Sequence, residues 1–166
     1  MKRTIVALLL VLTLLASAGC GLRDPVTAKE KVFSSEGMKI TLTEGFQETN
    51  IQGYTVCYDS SKIAVFALRE AFTLLEGLEN SPVEDYAQIV LEANKSRGAD
   101  KVETVEGIPC IEYSYHNDSE NKDYSYFTAT FKASDAFWLV QFVCETANYE
   151  ELRPTFIHWA KTVSFS

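Results

Sequence analysis

The chain has 166 residues, with 15 Lys+Arg against 23 Asp+Glu, a formal net charge of −8, 46% hydrophobic residues and 12% aromatics. This balance excludes a disordered tail, a basic nucleic-acid-binding domain and a collagen-like repeat. The length bounds the chain to one domain, since single domains commonly span about 100–200 residues.

Lys2 and Arg3 precede an aliphatic run from Ile5 to Leu15 that only Thr13 interrupts. The run is shorter than the roughly 20 residues a membrane-spanning helix needs. It fits the apolar region of a cleaved signal peptide. The small residues Ala16, Ser17, Ala18 and Gly19 then lead to Cys20. This ending resembles the lipobox of bacterial lipoproteins, with Ser17 where that motif usually has Leu. The resemblance implies that residues 1–19 are a removed signal peptide. It also implies that Cys20 becomes the acylated first residue, carrying a diacylglycerol and fatty-acyl chains of the palmitate type. Each buried CH₂ contributes about 0.8 kcal/mol, so two or more chains anchor stably. The leader holds two basic residues and no acid, so the remainder carries −10. That charge disfavours anionic lipid and nucleic acid, and leaves the anchor to hold the protein at the membrane. Residues 20–35 read as lipidated Cys20 and a polar tether, and 36–166 as the folded domain.

Met38 to Leu42 and Gly53 to Tyr58 are predicted strands, followed by a turn at Asp59-Ser60-Ser61-Lys62 and a third strand from Ile63 to Phe72. Thr73 to Asn80 reads as an irregular connection. Ser81-Pro82-Val83-Glu84 then carries a helix start, with Ser81 as N-cap, Pro82 at the first position and Glu84 closing a capping box. Val83, Tyr86, Ala87, Val90 and Ala93 recur at helical spacing, and Gly98 marks the end. The period then changes to two. Strands are predicted over Lys101–Val105, Ile108–Tyr115, Tyr124–Lys132 and Phe137–Thr146, joined by short turns into an antiparallel meander. Pro154 reads as the first residue of a last helix running to Thr162, after a turn at Asn148–Arg153. Val163-Ser164-Phe165 follows as an edge strand.

If His116 and Asp123 close one hairpin of the meander, Tyr115 opposes Tyr124 and Tyr113 opposes Tyr126. If Lys132 and Phe137 close the next, Phe131 opposes Trp138 and Phe127 opposes Phe142. One face then carries Ile108, Cys110, Phe127, Ala129, Phe131, Trp138, Val140, Phe142 and Cys144. The other carries Ile111, Tyr113, Tyr115, Tyr124, Tyr126, Phe137, Leu139 and Val143. Both faces are apolar, whereas a half-solvated antiparallel sheet shows one polar face. The fold class read from this is α+β: a central antiparallel sheet covered by helices on both faces, an α/β/α sandwich.

Three cysteines remain beyond Cys20, namely Cys57, Cys110 and Cys144. An odd number cannot form a closed disulfide set, and their spacing matches no zinc pattern. One pair with a free thiol, or no pair at all, stays open, and the three read as small core residues. The register puts Cys110 and Cys144 two strands apart, roughly 9–10 Å across the sheet, beyond the roughly 7 Å that a disulfide allows.

The order of elements over residues 36–165 resembles the PsbP-like fold. That group includes the extrinsic PsbP subunit of photosystem II, the Ran-binding Mog-type proteins and bacterial lipoproteins. The resemblance rests on Gly45-Phe46, the helix at Asp85-Tyr86, the Gly107-Ile108 strand entry and Phe137-Trp138. The ending Asn148-Tyr149, Pro154, Phe156 and Val163-Ser164-Phe165 looks most like the bacterial lipoprotein members. It implies no catalytic residue at any position here, and fold alone does not assign function.

The residues point to no cofactor and no metal. Asp118, Glu120 and Asp123 lie on a turn without the glycine of a calcium loop and beside Lys122. His116 next to Asp118 and Ser119 reads as local turn chemistry, without the setting of a nucleophile elbow. His158 reads as a partly exposed helix residue. Tyr113, Tyr115, Tyr124 and Tyr126 form the one notable cluster, either cross-strand packing or a binding face. The expectation is a membrane-anchored, extracytoplasmic, non-enzymatic binding or accessory protein. The alternatives are a small cell-envelope hydrolase using His116 or a carboxylate pair, and a structural accessory of a transport or secretion complex.

Overall fold

The computed structural model describes residues 28–75 and 77–166. The leader, Cys20 and most of the tether lie outside the described residues. Among the described residues the strands are β1 (Glu30–Ser35), β2 (Met38–Thr43), β3 (Gln47–Thr49), β4 (Val56–Asp59), β5 (Ile63–Ala71), β6 (Glu103–Val105), β7 (Ile108–Asn117), β8 (Lys122–Lys132), β9 (Ala136–Glu145) and β10 (Ser164–Phe165). The helices are α1 (Val83–Asn94) and α2 (Tyr149–Ala160). A seven-stranded antiparallel sheet runs β3-β4-β5-β9-β8-β7-β6, and a three-stranded one runs β1-β2-β10.

The meander register is the one expected. Tyr115 opposes Tyr124, Tyr113 opposes Tyr126, Phe131 opposes Trp138 and Phe127 opposes Phe142. The pairing of β5 with β9, Ile63 against Cys144 through Ala71 against Ala136, joins the meander to the first hairpin. The two outermost strands, β3 and β6, have three residues each. Short edges leave few unpaired backbone groups for another chain to dock on.

Both sheet faces are buried. On one, Tyr86, Val90 and Leu91 of α1 pack on Phe66, Ile111, Phe137 and Val143. On the other, Phe156 and Trp159 of α2 pack on Phe127, Val140 and Phe142. A seven-stranded sheet is about 29 Å across at roughly 4.8 Å per strand gap, while a helix is only about 10–12 Å wide. One helix cannot cover that width. The three-stranded sheet completes the second face, pointing the fully buried Met38, Ile40 and Leu42 into the same core as Trp159.

Several local readings are corrected by this packing. Residues 30–35, read as the end of the tether, form β1 against β2. Here Phe33 is buried beside Tyr58, with ring centroids 5.0 Å apart. Ser81 does not cap α1. Pro82, with ψ 162°, takes the N-cap position, and no side-chain capping bond forms. The helix therefore starts one residue later than the capping box requires. Gly98 does end the helical segment, at φ +90°, after a 3₁₀ turn over Lys95–Arg97. Residues 149–153, read as a turn, belong to α2, and Pro154 lies inside it. Glu150 and Glu151 suit the positive end of the helix dipole. Burial of Tyr149 and Leu152 extends the helix back past the proline. Proline removes one helical hydrogen bond, here on an exposed stretch.

Candidate functional site

The four tyrosines project from the α1 side of the sheet, but not as an open face. Tyr113, Tyr124 and Tyr126 are buried, and only Tyr115 is exposed, at 41%. The rings of Tyr113 and Tyr126 lie parallel within 5° at 4.7 Å between centroids. Gln141 on β9 donates from Nε2 to the Tyr113 hydroxyl at 3.0 Å, and its Oε1 accepts from Tyr54 at 3.4 Å. Tyr124 donates to Glu120. Burial raises the phenols of Tyr54, Tyr113, Tyr124 and Tyr126, with Tyr54 pushed up to about 12 by burial first and the nearby Tyr113 second. They are therefore neutral hydroxyls at physiological pH. Above them, Arg97 in the 3₁₀ turn after α1 lies over the Tyr115 ring, 5.5 Å from its centroid. Tyr54 and Gln141 were not singled out by sequence. Only the strand order brings them under the tyrosines.

The His116 turn is a local device. His116 Nδ1 lies 2.8 Å from Asp123 Oδ1, its cross-strand partner, and Nε2 lies 3.7 Å from Asp118. Ser119 donates from both its amide and its hydroxyl to Asn117 Oδ1, at 3.1 and 2.7 Å. Its hydroxyl thus serves the turn and not His116. His158 is exposed and lies 2.9 Å from Glu30. Among the described residues no group of three or more His, Cys, Asp or Glu is arranged to hold a metal. Cys57, Cys110 and Cys144 are free and buried.

A cleft of about 520 Å³ opens where the β1–β2 turn, the end of β5, the β8–β9 turn and β10 meet. That volume is in the range of small-molecule pockets, about 300–1,000 Å³. Trp138 and Phe165 contribute a stacked pair at 5.1 Å. Arg69 pairs with Asp135 along one side. Lys132 donates to the Ser81 carbonyl at 2.7 Å and lies over the rings of Phe72 and Phe137. Among the described residues the lining contains no histidine or cysteine. The cleft lining carries charge of both signs beside the Trp138–Phe165 pair. Its parts come from segments far apart in the chain, so no local motif announces it.

No family model and no curated protein matches the chain. Solved structures do. The solution structure of cyanobacterial PsbP (CyanoP) from Synechocystis sp. PCC 6803 aligns with a TM-score of 0.50 at 11% identity, over 92% of this chain and 99% of that one. A mutant of the protein Mog1 aligns at 0.54 and 8% identity, over 82% and 96%. LpqN, described as involved in cell envelope biogenesis of Mycobacterium tuberculosis, aligns at 0.50 and 8%, over 83% and 91%. With two antiparallel sheets and two α-helices among the described residues, the chain has the α+β fold shared by PsbP-like proteins and Mog1.

Proposed function

We propose that this chain is a lipid-anchored, extracytoplasmic accessory protein that works by binding and not by catalysis. The observation that carries the reading is the leader: a basic start, the aliphatic run Ile5–Leu15, and Ala18-Gly19-Cys20. An accessory role accords with the fold it shares with PsbP-like proteins and with an envelope-biogenesis protein. No helix among the described residues is long and apolar enough to cross a membrane. On this reading attachment is through acyl chains on Cys20. In the same reading the cleft, and the exposed Tyr115 edge of the tyrosine cluster, supply the surface on which a partner or small ligand is held.

The test is expression of the full chain in bacteria fed labelled palmitate, followed by fractionation. The wild-type chain is expected to carry label and sediment with membranes. Cys20→Ser is expected to lose both. A Cys20→Ser chain that stays with the membrane and keeps its label overturns the reading.

A further inference from the structure

Of the three arginines with described side chains, Arg69 and Arg153 each pair with a carboxylate, Asp135 and Glu112 respectively. Arg97 does not. It is half-buried, and its partners among the described residues are the ring of Tyr115 and the hydroxyl of Tyr113. In a chain with 23 acids and 15 bases, a half-buried guanidinium left with aromatic rings and hydroxyls is a feature to explain.

Its position is fixed. Gly98, at φ +90°, closes the 3₁₀ turn directly after Arg97, and a Cβ at Gly98 would lie 3.6 Å from the Ser114 carbonyl oxygen on β7. The turn thus sits against the sheet, and Arg97 sits over the tyrosine face. Its positive charge is felt at the phenols of Tyr54, Tyr113 and Tyr126. The Tyr113 hydroxyl bonds Gln141, Arg97 and Thr128, so it is committed within the protein and steadies the guanidinium. Tyr126, stacked in parallel on Tyr113, brings a second hydroxyl beside the first. The group is rich in donors and holds a fixed positive charge. Guanidinium plus neutral hydroxyls is the donor set that oxyanions take, since the planar fork of Arg matches carboxylate and phosphate geometry.

We infer that Arg97, with Tyr113, Tyr115 and Tyr126, forms a binding site for a small oxyanion, a carboxylate or phosphate group. Arg97 supplies the charge and fork, Tyr126 supplies a hydroxyl donor, and the Tyr113 hydroxyl and the exposed Tyr115 ring hold the guanidinium in place. This rests on reading the chain as a binding protein. Membrane retention through Cys20 is scored separately by fractionation, so failure of one is distinguishable from failure of the other.

The experiment titrates the full chain in detergent with inorganic phosphate, and separately with acetate, against chloride at constant ionic strength. It follows the Arg97 Nε–Hε NMR signal and the melting temperature. A saturable response to one or both anions is expected, and the stronger probe names the oxyanion class. Arg97→Gln is expected to weaken binding at least tenfold, and Arg97→Lys to fall between. Tyr126→Phe, which keeps the ring stack, is expected to weaken binding about two- to tenfold, the effect of one hydrogen bond. No saturable response to either anion overturns the proposal. So does an equal response from wild type and Arg97→Gln. If Arg97→Gln fails to fold, Tyr126→Phe decides, and unchanged affinity there overturns the site.

Discussion

Glu112 on β7 and Arg153 on α2 meet in a two-pronged ion pair. Nε donates to Oε2 at 2.9 Å and Nη2 donates to Oε1 at 2.6 Å. Tyr149, at the start of the same helix, also donates to Oε2. One carboxylate therefore fixes the first turns of α2 to the sheet, on the stretch that Pro154 weakens. The side chains are 24% and 31% exposed, so the pair is only partly screened by solvent.

Burial raises the Glu112 carboxyl, but hydrogen bonds from Arg153 and Tyr149 and the charge of Arg153 outweigh it, leaving it below the usual carboxylate value. A depressed folded value stabilises at pH above the unfolded value. That contribution disappears as pH falls through the folded one. Glu112→Gln is expected to lose about 1–3 kcal/mol at pH 7, typical of hydrogen bonds to charged groups. Urea unfolding at pH 7 and at pH 3 checks this. The gap between wild type and variant is expected to narrow as pH falls, and a gap that stays constant with pH counts against the pair.

The thiols give a test of the sheet register. Cys110 faces Ala129 on β8 and Cys144 faces Ser125, so the two are offset along the strands as well as two strands apart. Burial pushes Cys110 up to about 11 and Cys144 to about 12, and raises Cys57 as well. Because the folded values lie above the unfolded ones, the thiols favour the fold below the unfolded value and less so as pH rises. In a Cys20→Ser chain, an aromatic disulfide reagent at pH 8 is expected to find no reactive thiol in native protein and all three in urea. A Cys110–Cys144 crosslink after mild oxidation would contradict the pairing of β7, β8 and β9.

The meander was legible in the chain because its information is local. Period-two patterning and short turns pinned Tyr113 against Tyr126 and Phe127 against Phe142. The Glu106-Gly107 turn shows this well. Both residues adopt positive φ, +53° and +83°, as a two-residue hairpin turn requires. The helix boundaries were less legible. Ser81 and Glu84 have capping-box spacing, but proline geometry moved the start. Tyr149 and Leu152 are held by tertiary burial that no local signal carries. The tyrosine cluster was visible as a list of residues. Its covering by α1 and Arg97, and its connection to Tyr54 through Gln141, depend on strand order. The cleft depends on four separate segments and had no signature at all.

Phe142 is the central contact of the α2-side core. It is fully buried, with Phe156, Phe127 and Trp159 at 5.6, 6.2 and 6.3 Å between ring centroids. Phe142→Ala is expected to cost about 3–5 kcal/mol by lost burial plus the cavity left behind. Leu74 is 77% exposed, and Leu74→Ala is expected within about 0.5 kcal/mol of wild type. Urea unfolding of the two variants separates them. Equal losses would mean that α2 does not seat on β9 as described.

Tyr58 offers a substitution expected to stabilise. Its side chain is 1% exposed and its ring lies 5.0 Å from Phe33. Yet its hydroxyl has no hydrogen-bond partner among the described residues. Burial, then the charge of Glu48, pushes the phenol up to about 12, so it stays a neutral, unsatisfied group across physiological pH. A buried hydroxyl without a partner costs about 1–3 kcal/mol of desolvation, while the ring contributes favourable packing. Tyr58→Phe keeps the ring and removes the hydroxyl, and is expected to raise stability by about 1 kcal/mol on that accounting. Tyr58→Ala removes the ring as well and is expected to lose about 3–5 kcal/mol, as other large-to-small aromatic changes do. Opposite signs for the two variants in the same unfolding assay separate the cost of the hydroxyl from the benefit of the ring. A loss of stability in Tyr58→Phe would mean that the hydroxyl is satisfied and contributes to the core.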